Sequence, residues 1–439
     1  MRVSVLCSLT VVAILAAAAG AAPSLNDPRL TLTRYVDGLS QPTGFRFIGP
    51  EDIFAIEKSS GRVRRIQNGV VTSTVLDLDV NSHSERGLLG IAIHPQFSSN
   101  NFVYLYYSAT DDDQDSSSSV SWTENRLSRF TFDGSALVSK QVLLSFPRLP
   151  FPNLNGPNHD GGPLLFGPGG KLYGTTGDLN RNGAEQNNQS ESNSSAGVGG
   201  IFRLNAPGDA TDGSMPGDNP FATHANSDFH LWYAYGVRNT FGMAFDPLTD
   251  QLWSTENGPN LYDEINLVPK GFNSGWRKIM GPDSRDTQDV DDLVTLPNSV
   301  YSDPEFSWFF TIGVTSIQFL AESLLGPSFR DSLLVGDDNS GRLYRFEMNA
   351  ARDGLVFNDA ALADLVADTT AERNLLTWGT GFGTVTGIEI GPFDSAVYVM
   401  SLSRGEIHRI LPEPTVWAVS MCVMLLAATR TRRSYRSVS

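Results

Sequence analysis

The sequence predicts an all-β fold, a six-bladed β-propeller of four-stranded antiparallel sheets spanning residues 30–410. Two observations carry this. Helical periodicity is scarce, while 41 glycines and 24 prolines punctuate short runs of β-branched and aromatic residues. One unit also recurs: an apolar strand ending in a Pro or Gly turn, a second apolar strand, a polar turn, then a strand bearing Arg or Ile.

The first pass runs through Gly44–Ile48, Asp52–Ile56 and Gly61–Ile66, and the second through Gly90–Pro95, Val103–Tyr107 and Arg126–Phe130. The third comprises Pro163–Pro168, Lys171–Thr175 and Gly200–Leu204; the fourth, Gly242–Pro247, Gln251–Thr255 and Asp263–Val268. The fifth is Thr315–Phe319, Ser332–Gly336 and Gly341–Phe346; the sixth, Thr386–Pro392, Ala396–Met400 and Gly405–Ile410. Each pass is too small to bury its own apolar face, so neighbours must pack radially around a channel. A β-sandwich rarely repeats one unit so regularly. The spacers Asp111–Ser119, Asn187–Gly200 and Gly281–Val300 have loop composition, and the aspartates of the last, Asp283, Asp286, Asp289, Asp291 and Asp292, read as solvated.

Both ends have targeting patterns. Residues 1–22 run from Arg2 through an apolar core to small side chains before Pro23, the order of a secretory signal peptide. Residues 411–433 carry Pro412-Glu413-Pro414, an apolar stretch and then Arg430, Arg432 and Arg433. This tail resembles the PEP-CTERM signals of Gram-negative bacteria, which implies handling by exosortase-type sorting machinery. The expectation is an exported protein of the periplasm, outer envelope or extracellular matrix that meets a membrane only through its terminal segments. The only cysteines, Cys7 and Cys422, fall in those segments, which excludes a disulfide scaffold or thiolate chemistry in the mature domain. A net charge of −16 excludes nucleic acid as a partner, because phosphates demand a basic face.

Three clusters can carry chemistry. His159 lies in Gly156-Pro157-Asn158-His159-Asp160-Gly161-Gly162, where flanking glycines allow close approach. Asp178 ends the next strand, on the same rim, and a carboxylate there fixes an imidazole tautomer and raises its basicity. Arg238 and Asn239 place a forked donor beside an amide, suited to an anionic or carbonyl-rich ligand. Gly258, Pro259 and Glu264 offer oxygen donors on a kinked backbone, suited to calcium; a turn with a buried acid pair would read much the same.

The segments Ser84–Pro95, His159 through Asp178, Gly236–Asn239 and Gly258 through Trp276 resemble, in order and spacing, the glucose/sorbosone dehydrogenase family. That resemblance implies a sugar dehydrogenase using pyrroloquinoline quinone (PQQ) and calcium. His159 would remove the proton of the sugar C1 hydroxyl, Asp178 would orient it, and Arg238 would polarise the quinone carbonyl beside Asn239. Calcium would sit near Gly258, Pro259 and Glu264. The chain departs from the family at the cofactor's cradle. The family's lysine falls at Asn339, its later arginine pair at Thr384 and Thr386, and its glutamine at Glu85. PQQ carries three carboxylates, and each lost charge-assisted bond forfeits about 1.5–3 kcal/mol. Two alternatives therefore stand beside the dehydrogenase: a non-catalytic propeller that binds sugars or surface glycans, and a calcium-assisted lactonase-type hydrolase.

Overall fold

The computed structural model describes residues 22–111, 113–148, 158–180, 188, 198–209 and 211–414. Nearly all of the signal segment, most of the C-terminal tail and both cysteines lie outside the described residues.

Six antiparallel sheets follow one another along the chain. Blade 1 is Pro42–Gly49, Asp52–Glu57, Arg62–Gln67 and Val70–Asp77. Blade 2 is Leu88–Ile93, Phe102–Thr110, Trp122–Phe132 and Leu137–Pro147. Blade 3 is Leu164–Phe166, Lys171–Thr176, Gly200–Asn205 and Trp232–Tyr235. Blade 4 is Gly242–Phe245, Leu252–Glu256, Leu261–Val268 and Phe306–Phe310. Blade 5 is Val314–Phe319, Ser332–Asp337, Leu343–Met348 and Thr377–Thr380. Blade 6 takes Val385–Ile390, Val397–Ser401 and Glu406–Pro412 from the end of the chain, and its outer strand, Leu30–Val36, from the beginning.

Two blades exceed the expected four strands. Blade 4 gains Val366–Ala367, paired parallel to its outer strand, and blade 5 gains Ser24–Leu25 and Leu355–Val356. These short additions cover backbone groups that an outer edge would otherwise leave unpaired.

The core lies in the seams between blades. At the seam of blades 4 and 5, Trp253, Phe306 and Trp308 pack against Ile317, Phe319 and Phe346. At the seam of blades 2 and 3, Tyr106 and Phe146 meet Leu172, Phe202 and Trp232. Phe45 and Ala55 of blade 1 pack with Tyr398 and Met400 of blade 6, closing the ring. Strands alternate in direction, so the turn between the two middle strands of a blade and the link from its outer strand to the next inner strand reach the same rim. His159, Arg238 and the Thr311–Gly313 turn lie on links of the second kind, and Asp178, Gly258 and Asn339 follow second strands.

Arg46, on the inner strand of blade 1, crosses the axis. It pairs with Glu389 of blade 6 and donates to the Leu164 carbonyl of blade 3 at 3.0 Å. This cation ties three inner strands together.

Closure by Leu30–Val36 is testable. A chain starting at Gly38 leaves Glu406–Pro412 as an open edge and exposes the seam around Val36 and Leu30, which are 1% and 7% exposed. Losing those two buried side chains alone costs about 3–5 kcal/mol. Urea melts of the shortened chain should show at least that loss, and an unchanged midpoint would show that the ring closes without this strand.

Candidate active site in the axial well

A cavity of about 570 Å³ sits on the axis, lined from all six blades, a size that suits a small organic ligand. His159, Arg238, Asn239, Glu85, Asn339, Thr384, Thr386 and Gly258 all line it. The structure thus brings together nearly all of the residues singled out from the sequence.

His159 occupies a left-handed backbone conformation, φ 65°, followed by Gly161 and Gly162 at 73° and 141°. A side chain at Gly161 would come within 2.5 Å of the Thr175 carbonyl oxygen, so the loop can press against the blade only with glycine there. The His159 backbone N–H donates to Glu85 Oε2 at 2.7 Å, and its Nδ1 lies 2.5 Å from Asp178 Oδ1. Asp178 is itself fixed: Trp276 Nε1 donates to Oδ2 at 2.8 Å, the Asn180 backbone to Oδ1 at 2.9 Å, and its own N–H donates to the Arg238 carbonyl at 2.9 Å. Anchoring Nδ1–H on a carboxylate leaves Nε2 as the basic nitrogen. Asp178 is buried, so water does not compete for this bond.

Arg238 approaches from the link between blades 3 and 4. Its backbone N–H donates to Glu256 Oε1 at 2.6 Å, Nη1 donates to the Asn257 carbonyl at 2.7 Å, and its guanidinium lies 5.4 Å from the Trp276 ring centre. Burial pulls its pKa down, and the charges of Asp178, Glu256, Glu85 and Asp263 oppose that pull. Burial also pushes Glu256 up to about 7, against the bonds it accepts from Arg238 and from Ser274 Oγ at 2.5 Å. Asn239 Nδ2 donates to Glu85 Oε2 at 3.1 Å. Glu85 therefore ties the His159 loop to Asn239, a job for which a carboxylate is well suited.

The calcium set predicted from the sequence does not assemble. Gly258 lines the well with its N–H bonded to Asp263 Oδ1 at 2.9 Å, while Pro259 is exposed. Asp263 and Glu264 are successive strand residues and point to opposite faces. The Glu264 carboxylate is held by the Gly281 N–H at 2.6 Å and Asn266 Nδ2 at 3.0 Å, and burial and then Glu256 push its pKa well up. Asp263 instead faces the well, accepting N–H bonds from Ile312, Gly313 and Val314 as well as Gly258. Among the described residues, no three His, Cys, Asp or Glu side chains come close enough together to hold a metal.

The opposite wall is neutral in side-chain donors. Asn339 Nδ2 donates to the Thr311 carbonyl at 3.4 Å, Thr384 Oγ1 to Asp338 Oδ1 at 2.7 Å, and Thr386 Oγ1 to the Pro42 carbonyl at 2.7 Å.

Sequence reasoning gave no role to Trp276, Lys58 or the buried group behind His159. There, Asp160 Oδ1 accepts from Asn125 Nδ2 at 2.9 Å, and Arg86 lies 3.9 Å from the same oxygen with its guanidinium 4.0 Å from the Trp122 ring centre. The only signal for it was adjacency: Asp160 follows His159 and Arg86 follows Glu85.

The model of the glucose/sorbosone dehydrogenase family matches residues 39–407. Quinoprotein glucose dehydrogenase B of Acinetobacter calcoaceticus is 28% identical over 393 residues, 84% of this chain and 74% of that protein. Aldose sugar dehydrogenase YliI of Escherichia coli is 30% identical over 242 residues, 55% of this chain and 60% of that one. An uncharacterized Synechocystis protein, 32% identical, is likewise matched over 60% of its length, so the alignment spans well under two thirds of two of these curated relatives. Among solved structures, a Thermus thermophilus oxidoreductase (glucose dehydrogenase) superposes with a TM-score of 0.65 at 26% identity, covering 87% of this chain and 100% of that one. The PQQ-bound aldose sugar dehydrogenase of Streptomyces coelicolor has a TM-score of 0.62 at 22% identity, over 89% and 100% of the two chains, and shares the fold.

The network behind His159 has a pH signature. Burial raises Asp160 from 3.8 to about 7, against the opposing pull of Arg86 and Asn125. The folded chain keeps a proton that the unfolded chain releases, so this group's contribution to stability is full below roughly pH 4 and is lost as pH rises through about 7, each pH unit in between removing about 1.4 kcal/mol. In urea melts, the stability of the native chain relative to Asp160→Asn should fall across that window and level off above it. A difference that stays flat with pH would place an ionised Asp160 in the folded state.

Proposed function

The chain belongs to the glucose/sorbosone dehydrogenase family, and we propose on that footing that it is an exported sugar dehydrogenase whose well holds an aldose with its C1 hydroxyl against His159 Nε2. The observation that carries this reading is the 2.5 Å contact between His159 Nδ1 and Asp178, fixed from behind by Trp276. Neutral imidazole at Nε2 takes the hydroxyl proton, and the buried Asp178 carboxylate stabilises the imidazolium that forms. Such a positioned base contributes about 10²–10⁴ in rate. Arg238, whose Nε has no partner among the described residues, stands beside it to hold an oxygen on which negative charge develops.

Oxidation at C1 also needs a hydride acceptor, the chemistry that PQQ supplies when bound. The Arg238 guanidinium suits its carbonyl end. The remainder of the well does not suit its three carboxylates. Asn339, Thr384 and Thr386 carry no charge, Arg46 is paired with Glu389, and Lys58 Nζ donates to the Ser84 carbonyl at 2.6 Å. Four carboxylates, Glu85, Asp263, Asp338 and Glu389, face or line the same space. The residues present do not fit PQQ as a whole, and only the proton half of the reaction falls to this chain's own groups.

A second reading, a surface propeller that binds sugars or glycans without turnover, is favoured by that same wall. The sequence of the C-terminal tail supports display at the envelope by exosortase-type machinery in either case. The hydrolase alternative is the less favoured because the Glu264 carboxylate is held by Gly281 and Asn266 rather than facing the well.

The deciding measurement is dye reduction by the purified mature domain with a panel of aldoses, calcium and a quinone supplied far above micromolar concentration to offset the wall's lack of free cations, alongside sugar binding by calorimetry. His159→Asn should lower turnover 10²–10⁴-fold with sugar affinity changed only a few-fold. Loss of less than tenfold would remove His159 as the base, and sugar binding without turnover by the native chain would favour the binding propeller.

A further inference from the structure

We propose that the well takes an uncharged, hydroxyl-rich ligand directly and excludes ligands that carry several carboxylates. This rests on the carbohydrate reading of the same site and adds the charge class that the site selects.

The wall's inventory of donors and acceptors argues for it. Of its three cations, Arg46 is committed to Glu389 and Leu164 and Lys58 to Ser84, while Arg238 bonds Asn257 through Nη1 and keeps Nε without a partner among the described residues, one donor where a ligand with several carboxylates needs many. Glu85 and Asp338 present acceptors only, and a ligand must bring donors to them; Asp263 is already filled by four backbone N–H groups. Three further polar atoms on lining residues, Asn239 Oδ1, Thr315 Oγ1 and Ser316 Oγ, have no partner among the described residues. These side chains are 2%, 6% and 7% exposed. The Asn239 amide is oriented by Glu85, which takes Nδ2 and leaves Oδ1 as an acceptor. Hydroxyl groups both donate and accept, so a sugar satisfies carboxylates, amide oxygen and side-chain hydroxyls together. A carboxylate ligand can only accept, and it meets like charge at Glu85 and Asp338 in a partly enclosed space where water screens poorly.

The test compares a neutral ligand with carboxylated ones on the mature domain. Melting temperature and calorimetry are followed with a neutral aldose, with the aldaric acid of the same sugar, and with PQQ, whose absorbance gives an independent readout. The aldose should bind at least tenfold tighter than its dicarboxylate, and PQQ should leave absorbance and melting unchanged at micromolar levels. The combined substitution Asn339→Lys, Thr384→Arg and Thr386→Arg should raise PQQ affinity roughly 100-fold or more, since each added charge-assisted bond gives about tenfold. Asn339→Lys alone, a single change at the rim, should give a smaller gain of the same sign if the triple variant fails to fold. Micromolar binding of PQQ by the native chain, or an aldaric acid that binds as well as the aldose, would overturn charge selection while leaving the role of His159 as base intact. Failure of the native chain to bind any neutral sugar would sink both.

Discussion

A side chain at position 177 would put its first carbon 2.4 Å from the carbonyl oxygen of His159 and 2.6 Å from that of Arg238. The loop that carries the base, the turn that carries its carboxylate and the link that carries the guanidinium can therefore meet only around a glycine. Once they meet, the rest follows by hydrogen bonds of ordinary length. Asp178 N–H caps the Arg238 carbonyl, Trp276 reaches Asp178, and Glu85 joins His159 to Asn239. The well's reactive corner is held by backbone contacts between blades 3 and 4 more than by any one side chain.

Much of this was legible in the sequence, for a physical reason. The middle strands of the blades are buried along most of their length, so they read as short apolar runs and their turns repeat. The outer strands are short, bulged or borrowed, as with Thr377–Thr380 and Leu30–Val36, and composition does not mark them. The pairing of His159 with Asp178 could be read because strand direction alone places both on one rim. The metal set could not, because proximity in sequence does not guarantee convergence in space: Asp263 faces the well and Glu264 faces Gly281. Arg46 was hidden for the opposite reason, since one arginine in an inner strand reads as an ordinary polar position until the ring closes on it.

Arg46 links blades 1, 3 and 6 within the well through Glu389 and the Leu164 carbonyl. Burial raises the pKa of Glu389 even beside that cation. Polar contacts inside such a partly enclosed pocket are worth more than they would be in water, and polar atoms left unmet cost more. Both effects sharpen selection for a ligand whose hydrogen-bonding groups match the wall.

Apart from the bond of Arg46 to blade 3, blades pack mainly on their neighbours, so the two sides of the well are largely separable. The base, its carboxylate and the guanidinium belong to the links around blades 3 and 4, whereas Asn339, Thr384 and Thr386 belong to blades 5 and 6. Exchange of cations for neutral groups on the second side leaves the bonds on the first untouched, because those three side chains bond to Thr311, Asp338 and Pro42 rather than to His159, Asp178 or Arg238. A scaffold built this way can alter the charge of what it holds without dismantling the machinery that would deprotonate it. Retention of the His159–Asp178 pair beside a wall without free cations is then the expected outcome of separate blades under separate constraints, and under the proposed function the ligand's charge is set by the side of the well away from His159.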